Sequence, residues 1–168
     1  MKRNAPVRLL VCGNIDRADD GAALRAVRLF VAHRRYRVGR DVSVERCDQL
    51  DVLHLLDVPV GQAVVIVDAA VGVEPGEVVT TTLEELMDHP EGPAPHSSHS
   101  LPINQVLGVA NVLAEKPLEG VFVGIGGSDF GFGERMSSSV MRGLPAFAAA
   151  IDRAVEALMP LPAAAAGI

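Results

Sequence analysis

Tryptophan is absent and Tyr36 is the only tyrosine, so aromatic residues make up 4% of the 168-residue chain. A surface that stacks nucleobases needs several aromatic platforms, and this chain lacks them. A formal net charge of −6 also opposes binding to a phosphate backbone. The basic residues that do cluster, Arg34, Arg35, Arg37 and Arg40, read as the solvated end of a helix, where cations suit the dipole. Cysteine occurs twice, at Cys12 and Cys47, without metal-finger spacing; both read as reduced thiols on buried strands, which suits the cytoplasm. Long apolar runs are missing. The stretch Val7 to Cys12 is too short for the apolar region of a signal peptide, and nothing approaches a membrane span. The expected location is cytoplasmic, with no nucleic-acid or membrane partner. His-Glu-x-x-His, Gly-x-Ser-x-Gly and a phosphate-loop lysine are also absent, which argues against common zinc proteases, serine hydrolases and nucleotide hydrolases.

What is present is an ordinary globular balance, 49% hydrophobic and 21% charged. Short apolar runs at Val7–Cys12, Ala63–Val67 and Val121–Ile125 read as strands buried on both faces. Alternation over Val42–Cys47 predicts a half-buried strand, and the Val- and Thr-rich stretch Gly76–Leu83 predicts another. Helices are predicted over Asp20–Tyr36 (stripe Leu24, Val27, Val31), Gln49–Leu56 (Leu50 and Leu53 inward), Ser100–Glu115 and Ser138–Leu158. Pro145 is expected to start, kink or interrupt the last of these. Between them, Asp88–Ser98 holds three prolines, a glycine and two histidines and reads as a true loop. The alternation implies a single α/β domain over residues 1–159. It is a twisted, mostly parallel sheet of about five strands with helices on both faces, and residues 160–168 form a flexible tail. In such folds ligands bind beyond the carboxyl ends of the strands.

Three polar clusters follow strands. Asp19 and Asp20 precede a helix, which either could cap, and Asp20 stands equally as a site residue. Asp68 ends the most apolar strand, either as a turn cap over Ala69-Ala70 or as a functional carboxylate. In His96-Ser97-Ser98-His99-Ser100, a serine beside His99 could cap the next helix, whose dipole would keep the imidazole neutral and able to ligate. His33, His54, His89 and His96 read as solvated. Asp20, Asp68 and His99 together make an open metal site with mixed oxygen and nitrogen donors, suited to Zn²⁺, Ni²⁺ or a similar ion. Gly13-Asn14 and the Gly126–Gly133 loop offer a rival reading as a nucleotide cradle.

These clusters fall in an order that resembles the [NiFe]-hydrogenase maturation proteases. The pattern is a strand followed by Gly13-Asn14 and Asp19-Asp20-Gly21; then Val64-Val65-Ile66-Val67-Asp68-Ala69 with Pro75-Gly76; then Ser97-Ser98-His99; then Gly124-Ile125 and Ser137-Ser138-Ser139-Val140. The match runs from Val7 to about Leu158. The resemblance implies a peptidase that removes a C-terminal extension from a hydrogenase large-subunit precursor. Asp20, Asp68 and His99 would then contact nickel carried by that substrate, with other divalent ions able to occupy the site in vitro. These three are also the best catalytic candidates, by an aspartyl-type or metal-dependent route, and no separate nucleophile stands out. The Asp88–Ser98 loop would flank the bound tail. Two departures from the family pattern are Ala22-Ala23 after Gly21 and Cys47-Asp48-Gln49-Leu50 in place of a glycine-bearing turn. The second motivates an alternative, a relative that binds or senses the loaded subunit without cutting it.

Overall fold

The computed structural model describes residues 4–97 and 101–162. Its elements in chain order are β1 (Val7–Cys12), a 3₁₀ turn (Ala18–Gly21), α1 (Ala22–Ala32), β2 (Val42–Cys47), α2 (Val52–Leu56), β3 (Ala63–Pro75), β4 (Val78–Thr82), α3 (Leu83–Asp88), β5 (Ala94–Pro95), α4 (Ile103–Leu113), β6 (Gly120–Gly126) and α5 (Ser138–Leu158). They build one six-stranded sheet in the order β2-β1-β3-β6-β4, with β5 paired to β3. β1, β2, β3 and β6 run parallel; β4 and β5 run antiparallel to their neighbours. The mostly parallel α/β expectation holds.

Two cores follow from the period-2 alternation of the strands. Val7, Leu9, Val11, Val65, Val67, Val123 and Ile125 pack under α1 and α5. Leu10, Cys12, Val64, Ile66 and Phe122 face α2, α3 and α4 on the other side. Because β1 and the first half of β3 are covered on both faces, Leu9–Cys12 and Ala63–Val67 read as continuous apolar runs.

Several expectations are corrected. β3 does not stop at Asp68 but continues to Pro75, since its second half finds partners in β5 and β6. Ala69 and Ala70 are therefore buried strand residues, and no turn is there for Asp68 to cap. The first helix is confined to Ala22–Ala32, and Val31 reaches the surface. Beyond it Arg35 is not simply solvated: it forms ion pairs with Asp152 and Glu156 of α5. Leu53 is exposed rather than inward. Thr82 and Glu85 form a capping box that opens α3, a helix the strand-like composition around it had hidden. The N-cap of α4 is Pro102, so no serine beside His99 takes that position. α5 runs as one helix through Pro145, with Val140, Phe147, Ile151 and Val155 buried. Among the described residues no helix is long and apolar enough to cross a membrane.

Candidate active site

The carboxyl ends of β1, β2, β3 and β6 bring the polar clusters together. Val11 of β1 pairs with Val67 of β3, so Asp68 sits level with Cys12, the last residue of β1. Alternation turns its side chain to the face shared by Val64 and Ile66, where nothing of it is exposed. Asp20 comes from the 3₁₀ turn after β1 and keeps 4% of its surface.

Ser97 joins them. Its backbone N–H donates to Asp68 Oδ2 at 2.7 Å and its hydroxyl to Asp68 Oδ1 at 2.9 Å; the same hydroxyl lies 3.5 Å from Asp20 Oδ1. The position of Ser97 is set on both sides. The His96 N–H bonds the Ala69 carbonyl at 2.8 Å, extending the β3–β5 ladder, and the Leu50 N–H reaches the Ser97 carbonyl at 3.3 Å. The loop that departs from the family pattern, Cys47–Leu50, thus helps to hold the site.

His96 lies with Nδ1 3.0 Å from Asp20 Oδ1, and its ring stacks on Phe130 at 3.7 Å between centroids. It packs into this cluster and is not the solvated loop histidine expected. Its neighbour Ser97 was legible only as part of the Ser/His cluster and of the Ser97-Ser98-His99 pattern, with no role of its own assigned to it. Asp20 Oδ2 accepts from the Asn14 N–H at 2.8 Å, a bond that depends on Gly13 with φ of 123°. A Cβ at Gly13 would collide with the Asp20 carbonyl oxygen.

Neither acid caps α1. Asp19 instead accepts from the N–H groups of Ser128, Asp129 and Ser137 at 2.8, 3.0 and 2.7 Å, and from the Ser137 hydroxyl at 2.9 Å. It ties the glycine-rich loop and the start of α5 to the first loop. Burial works against its charge, but these bonds outweigh burial and hold its pKa below the ordinary 3.8. Backbone donors of both glycine-bearing loops, at Asn14, Ser128 and Asp129, are therefore taken by carboxylates. That removes the anion cradle the nucleotide reading required.

Asp68 behaves oppositely. Burial pushes its pKa up to about 7; the Ser97 bonds pull it back, the Asp20 charge adds to the rise, and His96 opposes it. Beside Asp20 a cleft of about 480 Å³ opens, lined by Asn14, Arg17, Asp48, Gln49, His96 and Phe130. A larger cleft of about 970 Å³ lies at the opposite end of the sheet, around Asn4, Arg8, Arg40 and Gln62, away from these groups.

Of the three expected ligands, the structure brings Asp20 and Asp68 to one serine, and His99 lies outside the described residues. Among the described residues no group of three or more His, Cys, Asp or Glu side chains is arranged to hold a metal ion.

Fold and site define a mostly parallel α/β domain with two buried carboxylates gathered at its strand ends. The chain is similar to the [NiFe] hydrogenase maturation protease HybD from Thermococcus kodakarensis, at 27% identity over 88% of this chain and 97% of that one, with a TM-score of 0.65. It shares its fold with the hydrogenase maturating endopeptidase HybD from E. coli (20% identity, 90% and 92% covered, TM-score 0.71). The maturation protease HycI from Thermococcus kodakarensis shows it too (19%, 91% and 94%, TM-score 0.62). No protein-family model and no curated protein matches. The chain has the fold of the [NiFe] hydrogenase maturation proteases and is similar to them, at up to 27% identity among the structures compared, a likeness that supports a peptidase.

Proposed function

We propose that this peptidase removes the C-terminal extension of a [NiFe]-hydrogenase large-subunit precursor in the cytoplasm, after nickel insertion. The nickel is the substrate's, and it serves as the recognition mark through Asp20, Asp68 and His99. The observation carrying this reading is the convergence of the Asp20 and Asp68 carboxylates on Ser97 at the strand ends, from positions 77 and 29 residues away in sequence. Two carboxylates and an imidazole are a donor set suited to a borderline divalent ion. Open ligand positions are what a protein needs to grip a metal already held by another chain.

The protein's own groups supply orientation and proton handling. Asn14 and His96 hold the two oxygens of Asp20, and Ser97 holds both oxygens of Asp68. With its pKa near 7 in the metal-free site, Asp68 is partly protonated at neutral pH and would release that proton on taking up the metal. Nickel brought here by the substrate would supply Lewis acidity, to polarise a carbonyl or to activate a water.

The test is to incubate the protein with nickel-loaded cognate precursor and follow the mass of the large subunit. Loss of the tail is expected with the wild type and not with Asp20→Asn or His99→Ala, nor with nickel-free precursor. An unchanged mass with a verified cognate precursor refutes the cleavage. Nickel-dependent co-precipitation without tail loss would establish the non-cleaving binder instead.

A further inference from the structure

Cys12 and Cys47 are the two cysteines of the chain, and they face each other in register across β1 and β2. Directly paired residues on adjacent strands stand about 4.8 Å apart, which falls inside the ~4.4–6.8 Å Cα range of disulfides. The sulfurs lie 2.7 Å apart, against about 2.05 Å in the bond itself. The Cys12 sulfur lies 3.9 Å from the Leu10 carbonyl oxygen and the Cys47 sulfur 3.8 Å from that of Val11. A single buried cysteine is an inert small hydrophobe. Two at one register position, with their sulfurs this close, are placed to join.

We propose that Cys12 and Cys47 form a redox-active dithiol that a peroxide closes to an intramolecular disulfide and a thiol reductant reopens. The inference stands on the β1–β2 geometry and does not depend on the peptidase reading. Cys12 has no exposed surface, whereas Cys47 keeps 5% and its successor, Asp48, lines the 480 Å³ cleft. A small uncharged oxidant suits such a position better than a bulky disulfide. Cys47 is the more accessible of the two and is therefore the attacking sulfur. It displaces hydroxide from hydrogen peroxide, forming an S–O bond as the O–O bond breaks, and its thiol proton leaves in the first water. Cys12 then attacks the Cys47 sulfenic sulfur; the S–S bond forms, the S–O bond breaks, and the Cys12 proton leaves in the second water. Two thiols and one peroxide give one disulfide and two waters, with two electrons passing to the peroxide. The bond would join the strand ends that carry Asn14 on one side and Asp48 and Gln49 on the other, three residues of the cleft wall.

The test treats the folded full-length protein with hydrogen peroxide, then measures intact mass and counts thiols after denaturation. Both thiols should vanish together, the mass should fall by two hydrogens, and dithiothreitol should restore both. The oxidised protein should stay monomeric, with a Tm higher by ~8–15 °C from loop closure alone. In Cys12→Ser the disulfide cannot close, so dimedone should trap a sulfenic acid on Cys47. The proposal is overturned if the folded wild type keeps both thiols under conditions that oxidise the urea-unfolded chain. It is equally overturned if the cysteines gain oxygen without loss of two hydrogens, or if disulfides form only between molecules. The wild-type measurement decides the matter even if Cys12→Ser does not fold.

Discussion

Replacing Asp68 with asparagine should make the protein more stable above neutral pH while abolishing its work at the site. Burial raises the folded-state pKa of Asp68 to about 7 from the ordinary 3.8. With a raised carboxylate, stability is fully present below the unfolded pKa. As pH climbs through 3.8 the unfolded chain ionises while the folded one stays protonated, so stability falls by ~1.4 kcal/mol per unit and levels off above 7. The total loss is ~4 kcal/mol, of which ~2–3 kcal/mol falls between about pH 5 and 8. Asparagine has no such titration. It keeps the shape of the site: its oxygen can accept the Ser97 N–H, and the Ser97 hydroxyl can rotate to accept from the amide. Urea midpoints at several pH values, read by circular dichroism for wild type and Asp68→Asn, give the comparison. The variant should gain ~2–3 kcal/mol on the wild type from about pH 5 to 8, with unchanged m-value. Parallel pH profiles would refute the reasoning. So would a wild type that gains on the variant as pH rises, because Asp68 would then be an ionised, well-solvated or paired group. A carboxylate that destabilises the fold at neutral pH is what a site residue looks like when stability is sacrificed to function.

Asp19→Ala should cost ~3–5 kcal/mol at neutral pH, because it leaves the Ser128, Asp129 and Ser137 N–H groups without their acceptor; urea denaturation measures it. Since the Asp19 pKa is lowered, its contribution is present above the ordinary Asp value and is lost as pH falls through the folded pKa, so the acid limb of the stability curve should flatten in this variant. Gly13→Ala combines positive φ with a clash against the Asp20 carbonyl and should lower stability by ~2–4 kcal/mol in thermal melts. His96→Phe keeps a ring to stack on Phe130 but removes the nitrogen beside Asp20. It should change stability by less than ~1 kcal/mol and slow precursor cleavage ~10-fold or more, as outer partners of metal-contacting groups do. Equal cleavage rates would show that His96 does not orient Asp20.

Much of the scaffold was legible because its signals are local. The apolar runs at Val7–Cys12 and Val121–Ile125 were buried strands, and the spacing of Val140, Phe147, Ile151 and Val155 placed the inner face of α5. The misreadings have two causes. Asp68 looked like the end of a strand because a carboxylate seldom lies within one, and only pairing to β5 and β6 carries β3 on to Pro75. The capping box at Thr82 and Glu85 was visible in the sequence, yet it lies against a strand of Val and Thr, and composition masked it.

The sequence by itself determined the alternation of strands and helices, and with it the end of the sheet where chemistry should gather. It also singled out Asp20, Asp68 and His99 by their order along the chain. Only the tertiary structure decided that Asp20 and Asp68 share Ser97, that His96 is wedged between Asp20 and Phe130, and that Asp19 serves a different loop altogether. It also set the two cysteines opposite each other. The reason is physical. Burial and periodicity act on neighbours in sequence, whereas strand order and register come from packing the whole sheet between its helices, and register decides which distant side chains meet.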